Sequence, residues 1–160
     1  MQVLASVIKE FMLKRGETIS VAESLTSGYL QAHMSAIAGS SKYFSGGITA
    51  YNIDVKVKLL NVDRENAEAC DCVSEQTAVE MAKGVVELFD TDYGIATTGY
   101  VDTANPKGVP HAHLAIYSRK KRKLHSFHMT CNHLTERTAI QAYFARLATE
   151  KLVKFLTVDL

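Results

Sequence analysis

AESLTSGYLQAHMSAIAGSSKYFSGGITAYNIDVK, residues 22–56, contains two strand-to-loop junctions rich in Ser, Thr, Gly, Tyr and Lys. An apolar strand, residues 19–22, runs into Glu23-Ser24-Leu25-Thr26-Ser27-Gly28 and then into an amphipathic helix. Small hydroxyls and free amides therefore collect at a helix N-terminus, which attracts phosphate or carboxylate. The second junction, Ala38-Gly39-Ser40-Ser41-Lys42-Tyr43-Phe44-Ser45-Gly46-Gly47, leads into a strand ending at Tyr51-Asn52, with Lys56 just beyond.

Outward from this stretch the periodicity changes in an ordered way. Val3, Leu4, Val7, Ile8, Phe11 and Met12 fall at helical spacing, and Lys14-Arg15-Gly16 supplies a basic end and a glycine stop, predicting a helix over 2–15. Strands are expected at 18–23 and 47–51, and helices at 25–36 and 54–61. Ser74 is placed to cap a helix whose first turn carries Glu75 and which continues to Phe89. A buried strand is expected next, at 93–97. Residues 112–117 and 124–129 then form a hairpin around a polar turn, and a last helix runs over 135–156 with Ile140, Tyr143, Phe144, Leu147, Leu152 and Phe155 on one face. That face either supplies a dimer contact or is used inside the fold. The order α-β-α-β-α-α-β-β-β-α offers helices to both faces of a central sheet. The expected fold is α/β, one three-layer α/β/α domain over 1–160. Its longest loop, residues 99–110, is the candidate flap.

Composition narrows the function classes. The chain has 160 residues and is 47% apolar, enough for one buried core. Lys and Arg number 18 against 17 Asp and Glu, so no overall field draws it to nucleic acid or an anionic membrane. No apolar run approaches the roughly 20 residues of a membrane span, and charges at Lys9, Glu10, Lys14 and Arg15 interrupt any signal-peptide pattern, so cytoplasmic residence is expected. Cys70, Cys72 and Cys131 are read as reduced thiols. The basic run from Arg119 to Lys123 is read as a solvated hairpin tip.

The ordered motifs AESLTSG, AGSSKYFSGG, Tyr51-Asn52 with Lys56, Leu59-Leu60-Asn61-Val62, Val73-Ser74-Glu75, Asp92-Tyr93-Gly94-Ile95-Ala96 and Thr98-Gly99 cover nearly the whole chain. Together they resemble the family of the CinA C-terminal domain and its stand-alone relatives, the nicotinamide mononucleotide deamidases. The resemblance implies a mixed sheet of about five strands, a homo-oligomer, and a hydrolase that releases ammonia from the carboxamide of a nucleotide without metal or cofactor. It points to Ser41 as nucleophile and Lys56 as the base that accepts its proton, a role open to a lysine whose ammonium form is disfavoured by burial. Tyr51 is expected to relay a proton or orient the lysine, and the amides around residues 39–41 to bind the oxyanion. Ser24, Thr26, Gly28 and Ser40 are expected to cradle the nucleotide, with Thr98, Gly99 and Arg137 completing the site. The structural alternatives are that Ser40-Ser41 caps a turn, that Lys56 is solvated, that Ser24 is an N-cap, and that Arg137 pairs with Glu136 or Glu150.

The chain departs from the family pattern where a glycine- and proline-rich loop is replaced by Tyr100-Val101-Asp102-Thr103-Ala104-Asn105-Pro106-Lys107-Gly108, and where His133 stands for an arginine. The alternative function is therefore a paralogue that binds a nucleotide or a protein partner without turnover. In the hairpin, pairing Ser118 with Lys123 sets His113 opposite His128 and His111 opposite Thr130. No recognised zinc spacing accompanies them, so no metal is expected.

Overall fold

The computed structural model describes residues 1–158. Its strands are β1 (Ile19–Glu23), β2 (Phe44–Thr49), β3 (Tyr93–Tyr100), β4 (His111–Ser118) and β5 (Lys123–Thr130). The helices are α1 (Gln2–Arg15), α2 (Tyr29–Met34), α3 (Ile53–Leu60), α4 (Arg64–Ala69), α5 (Glu75–Phe89) and α6 (Arg137–Thr157). The strands form one sheet in the order β2-β1-β3-β4-β5. β2, β1 and β3 are parallel, β4 runs antiparallel to both its neighbours, and the sheet is mixed as expected. The hairpin register agrees with the sequence reading, with Ser118 opposite Lys123 and His113 opposite His128.

Strand alternation assigns the two faces. Ile19, Val21, Tyr93, Ile95, Leu114 and Ile116 pack with α1, α2 and α6 in one apolar cluster. Ala22, Ala96 and Ala115 meet α3, α4 and α5 in the other. This second face is built from small side chains because α5 lies almost on the sheet. A Cβ on Gly94 would stand 2.1 Å from the Ala82 carbonyl oxygen, and one on Gly84 would stand 2.1 Å from that of Leu60. The Ser20 hydroxyl donates to the Val85 carbonyl at 3.1 Å across the same contact. On the opposite side the apolar stripe of α6 is used inside the fold, where Ile140, Phe144, Leu152 and Phe155 are buried.

Several boundaries differ from those expected. α2 begins at Tyr29 and not at 25, because Ser27 and Gly28 take left-handed backbone (φ 51° and 102°) and turn the chain before the helix starts. The fully buried Glu23 carboxylate compensates by accepting from the amides of Gly28, Leu30 and Gln31 at 2.8–3.0 Å. α4 was not anticipated; its signal is Asp63, whose side chain accepts from the Asn66 amide as an N-cap. β2 starts at Phe44, three residues early, and β3 extends to Tyr100 by pairing with β4. Ser74 caps α5 as expected, accepting from the Thr77 amide. No helix among the described residues is long and apolar enough to cross a membrane.

Candidate functional site

The strand order 2-1-3 means that the chain leaves β1 across one face, through α2 to β2, and returns across the other, through α5 to β3. Open parallel sheets bind ligands where the connections diverge, outside the carboxyl ends of such strands. A cleft of about 220 Å³ lies there, lined by Ser24 after β1, Thr98, Gly99 and Tyr100 at the end of β3, and Lys56 of α3.

Lys56 is 2% exposed, and its Nζ donates to Ser24 Oγ at 3.1 Å and to the Tyr51 carbonyl at 3.3 Å. Burial pulls its pKa below the ordinary lysine value, a shift opposed by the nearby Cys72 thiol and Asp71 carboxylate. Asn52 fixes the lysine's approach by capping α3, its side chain accepting from the Val55 amide at 2.9 Å. Ser24 is held by its own amide, which donates to the Thr97 carbonyl at 3.0 Å and ties the junction after β1 to β3. The next two amides, of Leu25 and Thr26, make no backbone hydrogen bond among the described residues. This arrangement provides an alcohol in contact with an amine whose charged form is disfavoured, beside the Leu25 amide at the cleft wall.

Ser41 does not join this group. The 3-10 turn of Ser40–Lys42 precedes β2, and Phe44 pairs with Ile19 at the start of β1, whereas Ser24 comes after the end of β1. At about 3.3 Å per residue, the length of β1 puts roughly 15 Å or more between the two serines. The expected Ser41–Lys56 pair is therefore replaced by Ser24–Lys56, and Ser40 and the amides of residues 39–41 lie at the wrong end of the sheet to bind a ligand in this cleft. Both serines occupy a surface turn that Lys9 fastens by donating to the Ala38 carbonyl at 2.9 Å.

The other expected residues divide. Thr98 and Gly99 line the cleft, and the Thr98 hydroxyl donates to the Cys72 carbonyl at 2.7 Å. Arg137 stands at the rim, donating to the Tyr51 hydroxyl at 2.9 Å and pairing with Asp102 at 3.6 Å in place of Glu136 or Glu150. Tyr51 thus orients Lys56 through its backbone carbonyl, while its hydroxyl is engaged by Arg137 and does not contact the lysine. Thr26 is buried against Thr97, their hydroxyls 2.7 Å apart, and Gly28 serves the turn and the Glu23 bond, so neither lines the cleft.

Sequence reasoning missed Glu23, Asp71, Cys72 and Asp102. Asp71 and Cys72 form the wall facing Lys56 on two consecutive left-handed residues (φ 51° and 59°). Asp71 also accepts from the Tyr100 hydroxyl at 2.8 Å; burial, then that carboxylate, pushes the phenol up to about 12. Glu23 was legible as the one acidic residue ending an apolar strand.

A family model described as the CinA C-terminal domain matches residues 1–156. A CinA-like protein of Synechocystis is 42% identical over 148 residues, covering 82% of this chain and 36% of its own length. A putative competence-damage inducible protein of Bacillus subtilis is 33% identical over 156 residues, covering 94% of this chain and 36% of its own. The chain spans about a third of the length of these curated relatives. Among solved structures, the competence/damage inducible protein of Agrobacterium tumefaciens superposes with a TM-score of 0.86 at 29% identity, over 94% of this chain and 92% of its own. The competence damage-inducible protein A of Klebsiella pneumoniae superposes equally well at 25% identity, over 94% and 93%.

Proposed function

The chain belongs to the CinA C-terminal domain family, and from that premise we propose that it is an amidohydrolase that cleaves the carboxamide of nicotinamide mononucleotide or a closely related nucleotide. The observation that carries this reading is the buried contact of Lys56 Nζ with Ser24 Oγ at 3.1 Å. Ser24 takes the nucleophilic role and Lys56 that of the base.

Amide hydrolysis needs an activated nucleophile, a proton carrier and donors for the developing oxyanion. Ser24 Oγ attacks the carboxamide carbon while its proton passes to the neutral Lys56 amine. The amide of Leu25, at the cleft wall and without a backbone partner, receives the oxyanion. As the tetrahedral adduct collapses, the C–N bond breaks and the Lys56 ammonium returns its proton to the departing nitrogen, which leaves as ammonia. Water then hydrolyses the ester on Ser24, with Lys56 again taking a proton. Desolvation matters because an ammonium of ordinary pKa could not accept the serine proton at neutral pH. Arg137 at the rim supplies paired donors suited to a phosphate, on release from Tyr51 and Asp102.

The test is ammonia release from nicotinamide mononucleotide by the purified protein and by three variants. Wild type and Ser41→Ala should turn over, and Ser24→Ala and Lys56→Ala should not; equal rates in all four discard the mechanism. The second reading, nucleotide binding without turnover, draws on the Arg137–Asp102 pair, which engages the rim arginine through the loop that departs from the family pattern. Calorimetry showing binding of the nucleotide without any ammonia release favours it.

A further inference from the structure

We propose that His111, His113 and His128 form a site for one divalent transition-metal ion of the zinc class, which in this structure is closed by the ammonium of Lys107. The site lies on the hairpin and does not depend on the Ser24–Lys56 reading. His111 and His113 alternate onto one face of β4, and His128 stands directly opposite His113 on β5. Their ring centroids are 4.9 Å (His113–His128), 5.5 Å (His111–His128) and 6.4 Å (His111–His113) apart. Three imidazoles converging tetrahedrally on zinc through bonds of about 2.0–2.1 Å have centroids about 5 Å apart, so the two separations to His128 are near that spacing and the His111–His113 separation must close. His111, two residues before His113 on β4, adds the third ring to the pair that faces across the hairpin. Cys131 and His133 contribute nothing to it, since Cys131 is buried in the α1/α2/α6 cluster and His133 packs on the Tyr143 ring at 4.8 Å.

The hydrogen bonds suit a ligand set. His111 Nδ1 lies 3.0 Å from the Val109 carbonyl, which can only accept, so Nδ1 donates to it and Nε2 is the nitrogen left to face an ion. A backbone carbonyl holding the far nitrogen is the usual support of a metal-binding histidine. The Lys107 ammonium stands 3.0 Å from His128 Nε2 and donates to it, so a cation already occupies that lone pair. As the rotamers lie, no group of three or more His, Cys, Asp or Glu among the described residues is set to hold a metal. Loading therefore exchanges Lys107 for the ion and turns the rings onto it. Lys107 is exposed in the loop beside Gly108 and is free to swing to solvent. Glu75, whose carboxylate accepts from the Ser126 hydroxyl on the same sheet face, offsets the incoming charge.

The test is titration of chelator-treated full-length protein with Zn²⁺ by calorimetry and with Co²⁺ by visible absorption. One ion per chain is expected. His113→Ala and His128→Ala should each weaken binding roughly tenfold or more, Lys107→Ala should tighten it, and the double variant Cys70→Ser with Cys72→Ser should leave it unchanged. Should an alanine variant fail to fold by circular dichroism, His113→Gln and His128→Gln give the same reading. No saturable binding by wild type, binding unaltered in the histidine variants, or weakening by Lys107→Ala overturns the site.

Discussion

Replacing Lys56 with Met separates a lysine kept for chemistry from one kept for stability. The side chain is 2% exposed and its two hydrogen-bond partners, Ser24 Oγ and the Tyr51 carbonyl, are uncharged. Its folded pKa is below the unfolded value of 10.5, so the unfolded chain holds the proton more tightly. That difference costs stability in full below the folded pKa, and the cost fades as pH rises toward 10.5. Each tenfold difference in proton affinity is about 1.4 kcal/mol. Met fills the same slot without charge. The hydroxyl it leaves behind lines an open cleft, where water replaces the lost bond cheaply. Lys56→Met should therefore be as stable as wild type or more so at pH 7, with the gain shrinking toward pH 10. Activity should fall roughly 10²–10⁴-fold with loss of the proton carrier. Urea melts at the two pH values and ammonia release measure both. A loss of about 2 kcal/mol or more at pH 7, or retained turnover, would refute the reasoning.

Three further outcomes are expected. Glu23→Ala strips a fully buried carboxylate acceptor from three amides and should cost about 3–5 kcal/mol, read by urea denaturation, because each bond to a charged group contributes about 1.5–3 kcal/mol. Gly94→Ala drives a methyl to 2.1 Å from the Ala82 carbonyl and should cost about 1–3 kcal/mol or more, seen as a lowered melting temperature. Asp102→Ala breaks an exposed ion pair whose contribution to stability is about 0–1 kcal/mol; its effect should appear as a changed KM for the nucleotide, with the melting temperature nearly unmoved.

Much of the fold was legible because its signals are local. The stop at Gly16, the Ser74 cap and the hairpin register around the turn at 119–122 each depend on residues within a few positions of one another. The boundaries that were missed depend on distant partners. β3 extends to Tyr100 only because His111 pairs with it, and α2 starts late because the Glu23 carboxylate satisfies the amides that a longer helix would have used. Lys56 was legible as a candidate base, while its serine was not. Ser24 and Ser41 both lie among small residues beside an apolar strand, and nothing in their neighbours tells which end of the sheet each will occupy.

The chain's own order of residues was enough to determine an α/β architecture with a mixed sheet, because burial periodicity and caps act over short separations. Only tertiary structure decided which alcohol meets the amine and how closely the three histidine rings approach one another. Parallel pairing of β1 with β2 gathers the segments at the carboxyl ends of the two strands and carries those at their amino ends to the far side of the sheet. That choice is made by long-range packing of α5 and α6 on the two faces of the sheet, which no short segment of the chain encodes.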